Sequence, residues 1–233
     1  MKIAGLQKVS LIDYPGHIAA TVFLAGCNLD CGYCHNRWMI RRHSCPEALS
    51  RDDLLAWLES RVGLLDGVCV SGGEPTLNPD LPDLLRAIKQ LRLSIKLDTN
   101  GTHPDRLARL IEDNLVDYVA MDLKAPLDER YDQVAGCTVD LDAIHQSLQV
   151  LREHDVPYEL RTTVGPGLDE QALRDMADIV NETEQWYLQL FSPAESVDPV
   201  WRDRPALDED DLVGIANRLV SRVTGVCVRG VTG

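Results

Sequence analysis

Short β-branched runs alternate along this chain with longer stretches whose apolar residues recur at intervals of three and four. The β-like runs are "IAATVFLAG" (18 to 26), "GVCVSG" (67 to 72), "SIKLDT" (94 to 99), "VDYVAMDLK" (116 to 124), "VPYELRTTV" (156 to 164) and "QWYLQLF" (185 to 191). The helix-like stretches cover 51 to 61, 80 to 92, 104 to 114, 141 to 154, 169 to 182 and 208 to 223. Period-two or continuous apolar runs suit strands, and three-four spacing suits amphipathic helices. Strict alternation of the two predicts parallel strands joined by right-handed crossovers, hence an α/β sheet or barrel. Six repeats predict a partial (β/α)6 barrel, with "VCVRGV" (226 to 231) as a further edge strand. No linker-like, repeated or low-complexity tract interrupts the pattern, which predicts one domain over residues 1 to 233.

Charge narrows the range of partners. The chain carries 23 Lys+Arg against 37 Asp+Glu, a formal net charge of −14, so its field repels phosphate backbones and anionic membranes. Neither nucleic acid nor membrane is expected as a partner. The N-terminal "MKIAGLQKVSLIDYPG" lacks the apolar core and cleavage site of a signal peptide, and no apolar run reaches about 18 residues. A cytoplasmic protein is expected, and its seven cysteines then read as metal ligands or buried thiols rather than disulfides.

The unusual residues fall at predicted strand ends, the working face of parallel α/β folds. Cys27, Cys31 and Cys34 follow the first run, "SGGEP" (71 to 75) ends the second, "DTNG" (98 to 101) the third and "DLK" (122 to 124) the fourth. A cubane iron-sulfur cluster normally takes four thiolates, one for each iron, so three leave one iron open to an exogenous ligand. The competing reading is a zinc site completed by His35 or His43, although structural zinc sites usually pair C-x2-C knuckles. Cys45, Cys69, Cys137 and Cys227 read as buried, unligated thiols.

C-x3-C-x-Tyr33-C followed by "SGGEP" resembles the radical S-adenosylmethionine superfamily. "YCHN", "LDTNG" and "DLK" resemble more narrowly its glycyl radical enzyme activating enzymes. "LIDYPG" with "GCN" and "YCHN", across residues 11 to 36, is most similar to the anaerobic ribonucleoside-triphosphate reductase activating proteins. The resemblance runs from about residue 5 to about 193 and weakens after residue 124. It implies a partial barrel of the radical SAM type that cleaves S-adenosylmethionine reductively and places a glycyl radical on a partner enzyme.

Carried over residue by residue, the resemblance implies that Cys27, Cys31 and Cys34 hold one [4Fe-4S] cluster. Gly72 and Gly73 would let the backbone approach the methionyl part of S-adenosylmethionine, with Glu74 near its ammonium. Tyr33 and Asn36 would lie near the adenosyl group, Lys124 would reach the cofactor, and Arg161 would belong to a later strand-end segment. Asp98, Thr99, the Ala120 carbonyl and Asp122 would form a monovalent cation site. Two carboxylates brought together also need a counter-charge on physical grounds, and Lys124 is an alternative source of it. Asp13, in the "DYPG" turn, would contact the substrate peptide; its local reading is a type II turn.

Two features depart from or qualify the resemblance. Some relatives carry a histidine shortly after the sixth run, where this chain has "LFSPAE", with Ser192 as a candidate substitute. Only 36 residues separate Cys34 from Ser71, which leaves no room for additional ferredoxin-type clusters. Arg37, Arg41 and Arg42 put three positive charges within six residues, a docking surface for an acidic flavodoxin or ferredoxin donor, or else a solvated face. His17, His103, His145 and His154 have no partner motif. The alternative function is a radical enzyme acting on a small molecule, similar to 7-carboxy-7-deazaguanine synthase, or another maturase. A non-enzymatic electron carrier fits neither the open iron nor the cofactor motifs.

Overall fold

The computed structural model describes residues 1–230. Its first half contains β1 (Ile3–Ser10), β2 (Ala19–Leu24), α1 (Arg37–Ile40), α2 (Arg51–Glu59), β3 (Gly67–Gly72), α3 (Leu81–Gln90), β4 (Ser94–Thr99), α4 (Pro104–Glu112) and β5 (Tyr118–Asp122). Then follow α5 (Glu129–Ala135), α6 (Leu141–Glu153), β6 (Tyr158–Val164), α7 (Glu170–Ala177), β7 (Gln185–Leu190), α8 (Pro199–Arg202), α9 (Glu209–Leu219) and β8 (Gly225–Arg229). Hydrogen-bonded strand order follows chain order, β1 through β8. β2 pairs parallel with β3 and β3 with β4, while β6 pairs parallel with β7 and β7 with β8. The expected α/β class is therefore the one adopted.

All six predicted strands and all six predicted helices are present, each inside its expected span. β8 also occurs where an edge strand was expected, although residue 231 of that span lies outside the described residues. The alternation did not reveal β1, which runs antiparallel to β2 with Ile3 opposite Leu24 and Ser10 opposite Ala19. Its sequence, IAGLQKVS, places three exposed residues in a row after two half-buried ones, so it lacks the period-two signal of a half-covered strand. α1, α5 and α8 are too short to show a helical period, at four, seven and four residues.

Packing divides the chain into two compact units. The first comprises Met1–Asn28, Trp38–Ala120 and Asp142–Pro157; the second comprises Leu29–Arg37, Met121–Leu141 and everything described from Tyr158 onward. In the first, Val68, Val70, Ile95 and Leu97 of the strands and Leu84, Leu85 and Ile88 of α3 are completely buried. Continuous apolar runs of this kind belong to strands buried on both faces, and α3 packs against β4. Helix starts are marked by side-chain caps: Ser50 accepts from the Asp53 amide, and Asp128, Asp169 and Asp208 act likewise on α5, α7 and α9. Among the described residues no helix is long and apolar enough to cross a membrane.

The second unit carries a charged pin across three strands. Glu159 on β6 has no exposed surface, and Arg229 on β8 donates to both its oxygens at 2.7 Å. The Arg229 guanidinium lies 3.4 Å from the centroid of Tyr187 on β7, between them in strand order. A buried pair of this kind costs most when only one partner is removed. Arg229→Met is expected to lower unfolding stability by ~3 kcal/mol in urea titration. Adding Glu159→Gln should recover a substantial part of the loss; an additive double variant would show that the two residues stabilise the sheet independently.

Candidate functional site

In the first unit the ends of β3 and β4 are locked together by one carboxylate. Glu74 is fully buried and accepts from the Thr76 amide (3.0 Å) and hydroxyl (2.5 Å), the Thr99 hydroxyl (2.9 Å) and the Asn100 amide (2.7 Å). Burial pushes its carboxyl up, against these hydrogen bonds, which pull it down. Pro75, next in sequence, opens a single 3-10 turn over Pro75–Leu77 and directs the chain toward α3. The carboxylate shapes the loop and has no surface of its own to offer a ligand.

The two preceding glycines are required by the chain itself. Gly72 has φ +119, and a Cβ there would lie 2.4 Å from the Leu24 amide nitrogen. A Cβ on Gly73 would lie 2.1 Å from the Gly26 carbonyl oxygen. The Gly73 amide donates to Leu24 and the Glu74 amide to Gly26, both at 2.8 Å. Backbone therefore fills the space that a side chain would need, and the expected reason for these glycines, close approach of a ligand, is at most a second one. The same loop start is held from its other side by Gly26 donating to the Met39 carbonyl and Cys27 to the Ile40 carbonyl. Asn28, next to Cys27, bonds Asn100 and Thr102 beyond β4.

Asp98 points its oxygens at Lys96 (2.5 Å) and the Ser71 hydroxyl (3.0 Å). Lys96 is only 1% exposed, so this ion pair is internal to the strand ends. Asp13 accepts from the Thr21 hydroxyl on β2 at 2.6 Å, which ties the "DYPG" turn to the sheet.

In the second unit, Cys31, Tyr33 and Cys34 face the "DLK" end of β5. Cys31 is buried and Cys34 half-buried, with the Cys34 amide donating to the Cys31 carbonyl. Burial pushes both thiols up; Lys124 lowers both, and the Asn36 amide also lowers Cys34. The Lys124 ammonium is 3.3 Å from the Tyr33 hydroxyl and 3.4 Å from Asp122, with the Tyr33 ring 5.6 Å away. Burial disfavours the charge on Lys124, but these surroundings hold it well above the usual lysine range. Asp122 is further held by Arg161 at 2.9 Å. Arg37 donates to the Cys31 carbonyl and pairs with Asp30 at 2.9 Å.

The side chains expected to hold a monovalent cation each have protein partners. Asp98 has Lys96, Asp122 has Arg161 and Lys124, and the Thr99 hydroxyl is committed to Glu74. Each carboxylate already has a protein cation. Of the four cysteines expected to be buried, Cys45 and Cys69 are, whereas Cys137 is half-buried and Cys227 exposed on β8. Among the described residues no three His, Cys, Asp or Glu side chains gather around a single-ion site. A cubane binds each thiolate through a different iron, so its ligands need not meet at one point. His35 bonds the Ser192 carbonyl at 2.9 Å, so the segment lacking the family histidine is engaged by the histidine of "YCHN".

Trp201, on α8, was not singled out by sequence reasoning. A Cβ on Gly32, between Cys31 and Tyr33, would lie 2.0 Å from its indole, and the indole meets the Tyr33 ring edge-on at 6.2 Å. Asn28, Lys96 and Asn100 were missed as well. No local pattern marks any of them: the contacts of Asn28 and Trp201 lie far away in sequence, and Lys96, although only two residues from Asp98, reads as one more polar position on a strand.

A family profile described as the radical SAM superfamily matches residues 21–180. A Methanocaldococcus jannaschii protein, whose name places it among glycyl-radical enzyme activating enzymes, is 31% identical over 99% of this chain and 97% of its own. A Thermococcus kodakarensis protein named as a GTP 3',8-cyclase is 29% identical over 67% of this chain, which spans half of that protein. Among solved structures, Streptococcus suis SuiB bound to the precursor peptide SuiA shares the fold, with a TM-score of 0.68 and 17% identity. That match covers 90% of this chain and 48% of SuiB.

Gly73→Ala tests the close approach. It should push the loop start away from β3 and lower stability by ~3 kcal/mol or more, while Gly167→Ala, where nothing lies within 4 Å, should cost far less despite its positive φ. The check is thermal unfolding, with cysteine alkylation rates reporting on the loop. Equal effects would mean that the close approach at Gly73 costs no more than the positive φ at Gly167.

Proposed function

The chain belongs to the radical SAM superfamily and, within it, to the glycyl radical enzyme activating enzymes, and from that premise we propose that it installs the glycyl radical of an anaerobic ribonucleoside-triphosphate reductase. The observation that carries the reading is the collinear relative, matched over 99% of the chain; the "LIDYPG" and "YCHN" segments support the choice of partner. We read residues 1 to 233 as one catalytic domain.

The family works with S-adenosylmethionine and a [4Fe-4S] cluster. The donor set fits: Cys27, Cys31 and Cys34 lie on one loop and none is in a disulfide, so the cluster would take these three thiolates and leave one iron for the cofactor. When bound, this pair supplies one-electron cleavage of the sulfonium and a carbon radical. The protein's own contribution is position and shielding. Gly72 and Gly73 fix the loop start, Glu74 fixes the glycines, and Asp98 is held by Lys96 beside them. Lys124, anchored by Asp122 and screened by the Tyr33 ring, offers a fixed positive charge to an anionic cofactor group. Arg161 holds Asp122 in place, Asn36 presents an amide beside the last cysteine, and Trp201 keeps water from Gly32. Asp13, tied to Thr21, is the candidate contact for the substrate peptide.

A second reading has one observation in its favour, the similarity to a protein named as a GTP 3',8-cyclase. In that case the substrate is a small molecule and no partner enzyme is needed. Anaerobically reconstituted protein, S-adenosylmethionine, dithionite and the reductase should give a glycyl doublet by electron paramagnetic resonance. Cleavage of S-adenosylmethionine without a doublet, joined by turnover of a small substrate, would favour the second reading. Cys31→Ala is expected to abolish cleavage and lower bound iron, while Cys227→Ala changes neither.

The reductant is expected to be an acidic flavodoxin or ferredoxin, docking on the basic stretch after the cysteines. Arg37 leaves that surface, because it is paired with Asp30; exposed Arg41 and Arg42, with Trp38 47% exposed beside them, remain. Local charge outweighs the distant acidic residues, which salt screens beyond about 10 Å at 0.1 M. Arg41→Glu should slow flavodoxin-supported cleavage several-fold, most at low salt, with dithionite-supported cleavage unchanged. Equal loss with both reductants would assign Arg41 to the fold.

A further inference from the structure

A cavity of about 340 Å³ opens on the first unit where α3 and α4 meet the turn after β3, and nothing in the radical chemistry uses it. Its walls are of three kinds. Pro79, Leu81, Pro82 and Leu110 form an apolar side. Arg86, Arg106 and Arg109 line the rest, against a single lining carboxylate, Asp113. Three guanidinium groups around one opening are conspicuous on a chain of net charge −14. Asn78 also lines the cavity, 3% exposed, with its side-chain oxygen buried and without a hydrogen-bond partner.

The arginines are held in different ways. Arg86 is held between Asp83 at 2.9 Å and Asp113 at 3.3 Å. Arg106 donates to the Thr76 carbonyl, which fixes its direction and leaves its charge uncompensated. Arg109 makes no ion pair among the described residues. A guanidinium presents planar paired donors suited to phosphate oxygens. The amide end of Asn78 makes only a long contact, 3.4 Å, to the Pro75 carbonyl. A buried amide oxygen without a donor costs ~1 to 3 kcal/mol, which a ligand N–H would recover once the Asn78 side chain, held only by that long contact, turns toward the opening.

We propose that this cavity binds a nucleoside phosphate, its phosphates on Arg106 and Arg109, its base against the proline and leucine wall, and a base N–H donating to Asn78. The volume falls within the ~300 to 1,000 Å³ usual for small-molecule sites. An inorganic anion would satisfy the arginines alone, leaving Asn78 and the apolar wall without purpose. The site is distinct from the strand-end loops and does not depend on the proposed partner enzyme.

The test uses reconstituted holoprotein with saturating S-adenosylmethionine, so that a nucleoside pocket at the cluster is already filled. Calorimetric titration with ATP, adenosine and inorganic phosphate is expected to show one ATP per chain, weakened by salt, with adenosine and phosphate each binding far more weakly. Arg109→Ala should reduce ATP affinity about tenfold, the loss of one charge-assisted contact. Asn78→Leu should reduce it while narrowing the preference for ATP over phosphate. Should either variant unfold, Arg109→Lys, which keeps the charge and loses the fork, is expected to show an intermediate loss. No saturable ATP binding, phosphate binding as tightly as ATP, or unchanged affinity in the Arg109 variants would each overturn the proposal.

Discussion

The loop architecture of the first unit rests on one buried carboxylate. Glu74 has no exposed surface, so its desolvation, several kcal/mol for a buried ion, must be offset within the protein. Four donors within hydrogen-bonding distance do this, and bonds to a charged acceptor contribute ~1.5 to 3 kcal/mol each. The donors come from two strand ends, so the carboxylate holds the turn after β3 and the turn after β4 as one piece. Neither turn can move without exposing or orphaning the charge.

From that fixed piece the rest of the loop follows by contact of backbone with backbone. Gly72 and Gly73, immediately before Glu74, lie so close to Leu24 and Gly26 that no Cβ fits. Two amide bonds extend the pairing of β2 with β3 past the ends of both strands. Cys27 therefore begins from a defined place, with Ala4, Ala25, Met39 and Cys45 packed as a small apolar cluster. Rigid first residues serve a loop that must present ligands, since a ligand set held in place loses little freedom on binding.

The second unit solves a related problem with a different charge. Lys124 is buried, yet Tyr33, Cys31 and Asp122, the last clamped by Arg161, together favour its charge. A fixed cation beside two thiols favours their deprotonated, ligating form, opposing the burial that raises them. Trp201 covers Gly32 of the same stretch, where only a glycine leaves room for the indole.

By itself the sequence determined the alternation of strands and helices and the parallel class, and it pointed to the candidate site residues. Hydrophobic periodicity reports burial of a whole element, and the spacing of Cys27, Cys31 and Cys34 is covalent, so both are local facts. Asp98 and Asp122 were visible as strand-end acids and Lys124 as a candidate counter-charge, but neither Lys96 nor the Arg161 clamp on Asp122 was; Lys96 reads as one more polar position on a strand. The glycines of "SGGEP" were visible, but the backbone they admit is fifty residues away. β1 carried no signal because its polar residues sit on an edge, and α8 is one turn long, so neither Trp201 nor its glycine could be anticipated. Which side chains meet is decided by long-range packing, whose partners are chosen by geometry after the elements have formed, and only the tertiary structure records that choice.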